Sequence, residues 1–199
     1  MIRIFACAGA VLALLSCAPA SAFTNPLNDI RLASLTPLDR GPLADFLNLF
    51  QMQAIPRRVV AWHRGFGRGT VIIATSERRL YYVLGNGEAI QYGVGVGREG
   101  FTWSGTKTVS RKREWPDWTP PPQMLKRRPD LPRHMPGGMD NPLGARAIYL
   151  GSSQYRIHGS NQPDTIGAAV SSGCIRMTNR DVVDLYDRVK IGTKVVVLR

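Results

Sequence analysis

Thr70-Val71-Ile72-Ile73-Ala74, Arg79-Leu80-Tyr81-Tyr82-Val83-Leu84 and Ala89-Ile90-Gln91-Tyr92-Gly93-Val94-Gly95-Val96 follow one another, separated only by Thr75 to Arg78 and Gly85-Asn86-Gly87-Glu88. Short runs rich in β-branched and aromatic residues, bounded by turn formers, read as strands. Asn-Gly in the second linker is the signal of a tight hairpin, because both positions accept positive φ. The stretch predicts a three-stranded antiparallel meander.

Further along, β-pattern resumes at Arg146-Ala147-Ile148-Tyr149-Leu150, Tyr155-Arg156-Ile157-His158 and Ala168-Ala169-Val170, and the chain closes on Thr193-Lys194-Val195-Val196-Val197-Leu198. Between the last two, Thr178 or Asn179 caps a helix running to about Val189, with Asp181 in its first turn and Val182, Val183, Leu185, Tyr186 and Val189 at helical spacing. One short helix among many strands predicts an all-β fold, mainly an antiparallel sandwich or barrel. Residues 111 to 143 carry eight prolines, from Pro116 to Pro142, and Gly137-Gly138. That composition forbids a long regular element and reads as a long loop able to cover a site.

Toward the N-terminus, residues 23 to 68 read as a leader or linker, with prolines at 26, 37, 42 and 56 and one apolar cluster, Leu43 to Met52, that suits a short helix. Met1 to Ala22 joins Arg3, an apolar run from Ile4 to Leu15, and the small-residue end Ala20-Ser21-Ala22. This is the pattern of an export signal, too short for a membrane span. A second reading keeps Cys17, preceded by Leu14-Leu15-Ser16, as a site of lipidation that would anchor the protein to a membrane. Simple secretion to the periplasm is the favoured expectation. The catalytic domain is then expected over residues 69 to 199.

The chain has 199 residues and a formal charge of +12. Removing Met1 to Ala22 takes away Arg3 alone and leaves +11. A basic exported domain fits a surrounding of anionic polymers or acidic lipid, and export excludes nucleic acid as the partner. Two of the three cysteines, Cys7 and Cys17, lie in the export segment, so Cys174 is left without an intramolecular disulfide partner. An unpaired thiol in an oxidising compartment has to be buried or used.

Cys174 stands in Ser171-Ser172-Gly173-Cys174-Ile175-Arg176-Met177, sixteen positions after His158 of His158-Gly159-Ser160. A glycine before a nucleophile lets the backbone turn tightly and aim amides at a developing oxyanion. A thiol needs a base to become reactive, and His158, at the end of a strand, is the natural partner. Read singly, a lone cysteine is more often a small buried hydrophobe and a lone histidine a structural residue.

Together, these two motifs resemble the signature of L,D-transpeptidases of the YkuD type. The resemblance runs over roughly residues 69 to 198 and takes in Tyr92-Gly93-Val94-Gly95-Val96-Gly97, Trp115-Pro116-Asp117-Trp118 and Asn141-Pro142-Leu143-Gly144. It implies a β-rich fold in which Cys174 is the nucleophile, His158 the general base, and a carbonyl of Gly159 or Ser160 the group orienting the histidine. Gly173 is expected at the oxyanion, and Ser171, Ser172 and Arg176 at the substrate. Where many members have histidine before the Gly-Cys pair and asparagine two residues after the cysteine, this chain has Ser172 and Arg176. Arg176 suits a substrate carboxylate, bound by a bidentate contact, or a structural salt bridge.

The resemblance further implies a peptidoglycan stem peptide as donor, acylating the cysteine with loss of the terminal D-alanine. The acceptor would be an amine of a second stem, giving a 3→3 cross-link, an amine of an envelope protein, or water. It implies no cofactor and no metal. A reading of another class keeps the fold as a non-catalytic wall-binding module, with Trp115 and Trp118 stacking on glycan rings.

Three weaker signals have simpler readings. Ser104-Gly105-Thr106-Lys107 fits S-x-x-K but sits where no helix should open. Gly95-Val96-Gly97-Arg98-Glu99-Gly100 fits G-x-G-x-x-G without the helix that a dinucleotide fingerprint needs, and reads as strand and turn. His63, His134, His158 and Cys174 lack the short paired spacing of metal ligands.

Overall fold

The computed structural model describes residues 55–199. The export segment, the apolar cluster Leu43 to Met52 and Cys17 lie outside the described residues.

The predicted meander is β2 (Val71–Ala74), β3 (Arg79–Gly85) and β4 (Glu88–Gly93), all antiparallel. Asn86 and Gly87 close the β3–β4 hairpin with φ of 53° and 74°, the paired positive values that a two-residue turn of this hand requires. The third predicted strand ends earlier than its apolar pattern suggests. After Gly93 the chain leaves the meander, and Val96–Gly97 forms β5, paired in parallel with β9 (Ala169–Ser171).

Three strands were hidden in the sequence, the two-residue β10 (Ile175–Arg176) among them. β1 (Arg58–Ala61), inside the stretch read as leader, pairs with β4 at the sheet edge. β6 (Gly105–Glu114) is the longest strand, and it takes in Arg111 to Arg113, read above as the start of the loop. Only Val109 of its ten residues is buried, so it shows no apolar alternation. Long cationic side chains cover aromatic rings instead: Arg111 lies 4.0 Å from the Tyr149 ring and Lys112 4.0 Å from that of Tyr186. Ser104 to Lys107 thus lead into a strand and open no helix.

With β7 (Arg146–Leu150), β8 (Arg156–His158), β10 (Ile175–Arg176) and β11 (Lys194–Leu198), nine strands form one sheet in the order β1-β4-β3-β2-β11-β6-β7-β8-β10. Most pairings are antiparallel, as expected, but β11 runs parallel to β2 and β10 parallel to β8. The fold is therefore strand-rich with a mixed sheet. Central β2 and β11 are buried on both faces. Val71, Ile73, Val195 and Val197 point into the larger core, while Ile72, Ala74 and Val196 point into a smaller one closed by Trp62 and Tyr81. Each such side chain contributes about 1.5–3 kcal/mol by leaving water.

Among the described residues, two short α-helices accompany the sheet. α1 (Pro122–Arg127) lies within the proline-rich loop, and a 3-10 turn covers Pro163–Thr165. α2 (Asn179–Arg188) is the helix expected: Thr178 Oγ1 accepts the Asp181 amide at 3.1 Å, and Val182, Leu185 and Val189 pack on the larger core.

Candidate active site

Strand periodicity builds the site. β8 and β10 are parallel neighbours with Ile157 opposite Ile175 and His158 opposite Arg176. Successive side chains on a strand face opposite ways, so the two isoleucines enter the core while Arg156, His158 and Arg176 share the other face. Cys174, just before β10, has its Sγ 3.8 Å from the Gln154 carbonyl and lines the same cavity as His158. The sixteen-residue separation in sequence collapses into one cavity.

Cys174, His158, Arg156 and Arg176 line a pocket of about 790 Å³ together with Ser171 and Ser172. Its roof comes from the proline-rich segment, through Trp118, Met124, Arg127 and Leu143. That roof is tied together by Asn141, whose amide donates to the carbonyls of Pro116, Met135 and Pro136 at 3.1, 3.2 and 2.9 Å and whose Oδ1 accepts the Leu143 amide at 2.9 Å.

His158 is 5% exposed. Its Nδ1 lies 2.6 Å from the Gly159 carbonyl. A carbonyl only accepts, so Nδ1 carries the proton and donates, and Nε2 is left as the acceptor. Burial, with Arg176 and Arg156 nearby, lowers the His158 pKa to about 3, against the weaker opposing pull of the Gly159 carbonyl. Burial pushes the half-buried Cys174 thiol up, opposed by the charge and amide of Arg156 and the charge of Arg176. At neutral pH the pair rests as thiol and neutral imidazole.

Behind the pocket the backbone is packed without slack. Gly159 donates its amide to the Arg146 carbonyl at 3.0 Å, and a β-carbon on it would collide with Asn179 Oδ1. That oxygen accepts the amides of Ala145 at 2.8 Å and Ser160 at 3.3 Å. Ser160 is buried and its hydroxyl accepts the Gln162 amide, so Ser160 shapes the loop, and the carbonyl facing the histidine is that of Gly159.

The turn that presents Cys174 is held by Ser171, whose hydroxyl donates to the Cys174 carbonyl at 2.6 Å and accepts the Gly173 amide at 3.1 Å. The Gly173 amide is thus engaged by a neighbouring hydroxyl in the free protein. What Gly173 supplies is a φ of 104° and the absence of a β-carbon that would lie 2.6 Å from Tyr155 Cε1. Tyr155 in turn stacks on Trp103, centroids 4.6 Å apart, and Trp103 Nε1 donates to the Gly173 carbonyl at 2.8 Å. Trp103 and Tyr155 were not singled out in the sequence, and Asn179 only as a candidate helix cap, because a side chain that holds a distant backbone atom leaves no local motif.

Arg176 forms no ion pair among the described residues, and its Nε is buried without a partner. This disfavours the structural salt bridge. His63 and His134 are exposed and lie apart from Cys174, His134 standing 3.6 Å from Asp117.

A thiol and a neutral imidazole sharing the floor of one pocket are the equipment of a thiol acyltransferase. The sequence model of the YkuD family, the L,D-transpeptidase catalytic domain, matches residues 68–197, and the chain belongs to that family. A probable L,D-transpeptidase ErfK/SrfK of Escherichia coli is 39% identical over 140 residues, covering 66% of this chain and 44% of that protein. The chain thus spans less than half the length of that relative. Among solved structures, an L,D-transpeptidase from Mycobacterium smegmatis shares the fold at a TM-score of 0.53 with 17% identity, over 65% of this chain and 58% of that one. A protein from Brucella melitensis, named a probable carnitine operon oxidoreductase, is 43% identical over 76% of this chain and 98% of its own, with a TM-score of 0.50.

Proposed function

We propose that this protein is an exported L,D-transpeptidase that acts in the periplasm on peptidoglycan stem peptides. The observation that carries the reading is the shared pocket floor of Cys174 and His158, with the His158 Nδ1 proton donated to the Gly159 carbonyl at 2.6 Å. With Nε2 free to accept, the imidazole takes the thiol proton as sulfur attacks the carbonyl of the donor's third residue. A C–S bond forms, the C–N bond to the terminal D-alanine breaks, and the departing amine takes the proton from His158. In the second half, an amine of another stem gives up a proton to His158 and attacks the thioester. Sulfur leaves and is reprotonated. Arg156 and Arg176 stabilise sulfur whenever it is anionic, and the unpartnered Arg176 is placed to hold a substrate carboxylate.

Incubation of purified protein with tetrapeptide donors, followed by mass spectrometry, tests the reading and the acceptor together. We expect 3→3 dimers; tripeptides would indicate water, and stems joined to protein would indicate an envelope-protein acceptor. Unchanged donor with no adduct on Cys174 would overturn the assignment in favour of a non-catalytic wall-binding module.

A further inference from the structure

Four guanidiniums around this pocket lack an acidic partner among the described residues. Arg156 and Arg176 rise from the floor, Arg98 stands just after β5, and Arg127 lies in α1 of the roof. Arg128 also lines the cavity but is occupied by Asp130, at 2.9 and 2.6 Å. No aspartate or glutamate appears in the described lining. Arg98 and Arg127 approach the same ring, that of Phe101, at 4.6 and 5.7 Å, so two like charges meet where roof and floor come together. Arg176 adds a buried Nε with no partner. Like charges gathered in a cavity repel one another in the free protein, and an anion that enters relieves all of them.

We infer that the pocket selects its donor peptide by free carboxylates, one held by Arg176 beside Cys174 and a second by Arg98 and Arg127 at the rim, and that it discriminates against the same peptide with those groups amidated. A carboxylate accepts a guanidinium fork through both oxygens. A carboxamide offers one oxygen and turns an NH₂ donor toward the other N–H groups, losing the charge as well. The inference rests on the acyl-transfer reading of the site and adds to it the charge state of the substrate.

Calorimetric titration of Cys174→Ala protein with a synthetic tetrapeptide, and with its counterpart amidated at the side carboxylates, measures selection without turnover. The free acid should bind about tenfold more tightly for each carboxylate retained, since a hydrogen bond to a charged group is of that size. The gap should shrink with added salt and in the Arg98→Gln/Arg127→Gln double variant, whose exposed positions put folding at little risk. Equal affinity for the two peptides overturns the inference, and so does a gap unmoved by the double variant. If the free acid is preferred but leaves no adduct on Cys174 of the wild-type protein, charge selection stands and the acyl-transfer reading falls.

Discussion

The floor and the roof of the pocket are built on opposite plans. On the floor, a two-strand ladder holds His158 opposite Arg176, and backbone approaches beside His158 and Cys174 are so close that Gly159 and Gly173 have no room for a β-carbon. The roof, from Trp115 to Leu143, is a proline-rich excursion gathered by buried Asn141 and by the close approach of Gly137 to the Trp115 carbonyl, with exposed Arg127 on α1. Reactive atoms need placement to fractions of an ångström, which close-packed backbone provides. Recognition of a flexible peptide needs charge and reach, which long side chains on a loop supply.

The largest effect should come from the floor itself: Cys174→Ala should reduce turnover of a tetrapeptide donor by more than about 10³-fold, because the covalent route disappears. Turnover near the wild-type rate would place the chemistry elsewhere and erase the contrast with the roof. Next is a pH effect. His158 titrates near 6.5 when unfolded and at about 3 when folded, so between these values the unfolded chain binds the extra proton. Stability should therefore fall as pH drops through that window, by up to roughly 4 kcal/mol from this group. Urea unfolding of wild type and His158→Gln at pH 7 and pH 4 isolates it; parallel pH dependences in the two proteins would show that the ring is not held neutral by burial.

A matched pair of glycines sharpens the comparison further. Gly173→Ala meets both a positive φ and Tyr155, and should cost about 2–3 kcal/mol. Gly138→Ala in the roof, where a β-carbon meets nothing within 4 Å, should stay within about 0.5 kcal/mol. Thermal denaturation reads both, and equal shifts would mean that Gly138 is as tightly constrained as Gly173. Asn141→Ala should cost about 1–2 kcal/mol, below Gly173→Ala, from the carbonyls it leaves unpaired. Its kinetic signature should be a raised KM with kcat changed less, because the roof lines the cavity in which the proposed substrate would sit and Cys174 is untouched; a pure kcat loss would tie the roof to the chemistry.

The meander, the capped helix α2 and the two motifs around His158 and Cys174 were legible because each is written locally. Apolar runs, an Asn-Gly pair and a threonine cap act on residues within a few positions of themselves. β1 and β6 were not legible. Exposed β1 and the lysine- and arginine-rich β6 owe their strand state to pairing partners far along the chain, such as β4 for β1 and β11 and β7 for β6. The partner of the Gly173 amide was not legible for the same kind of reason: the hydroxyl that takes it belongs to Ser171, two residues away, but only the folded turn shows that it points there.

By itself the sequence determined the strand-rich class, the family resemblance, and the cysteine and histidine of the proposed chemistry, because periodicity and short motifs are properties of neighbouring residues. Tertiary structure alone decided that Ile157 and Ile175 turn inward so that His158 and Cys174 turn outward together, that Gly159 supplies the carbonyl facing Nδ1, and that arginines from strand, turn and roof converge without an acid between them. Those relations join segments distant in the chain, and only strand register and close packing determine which distant atoms meet.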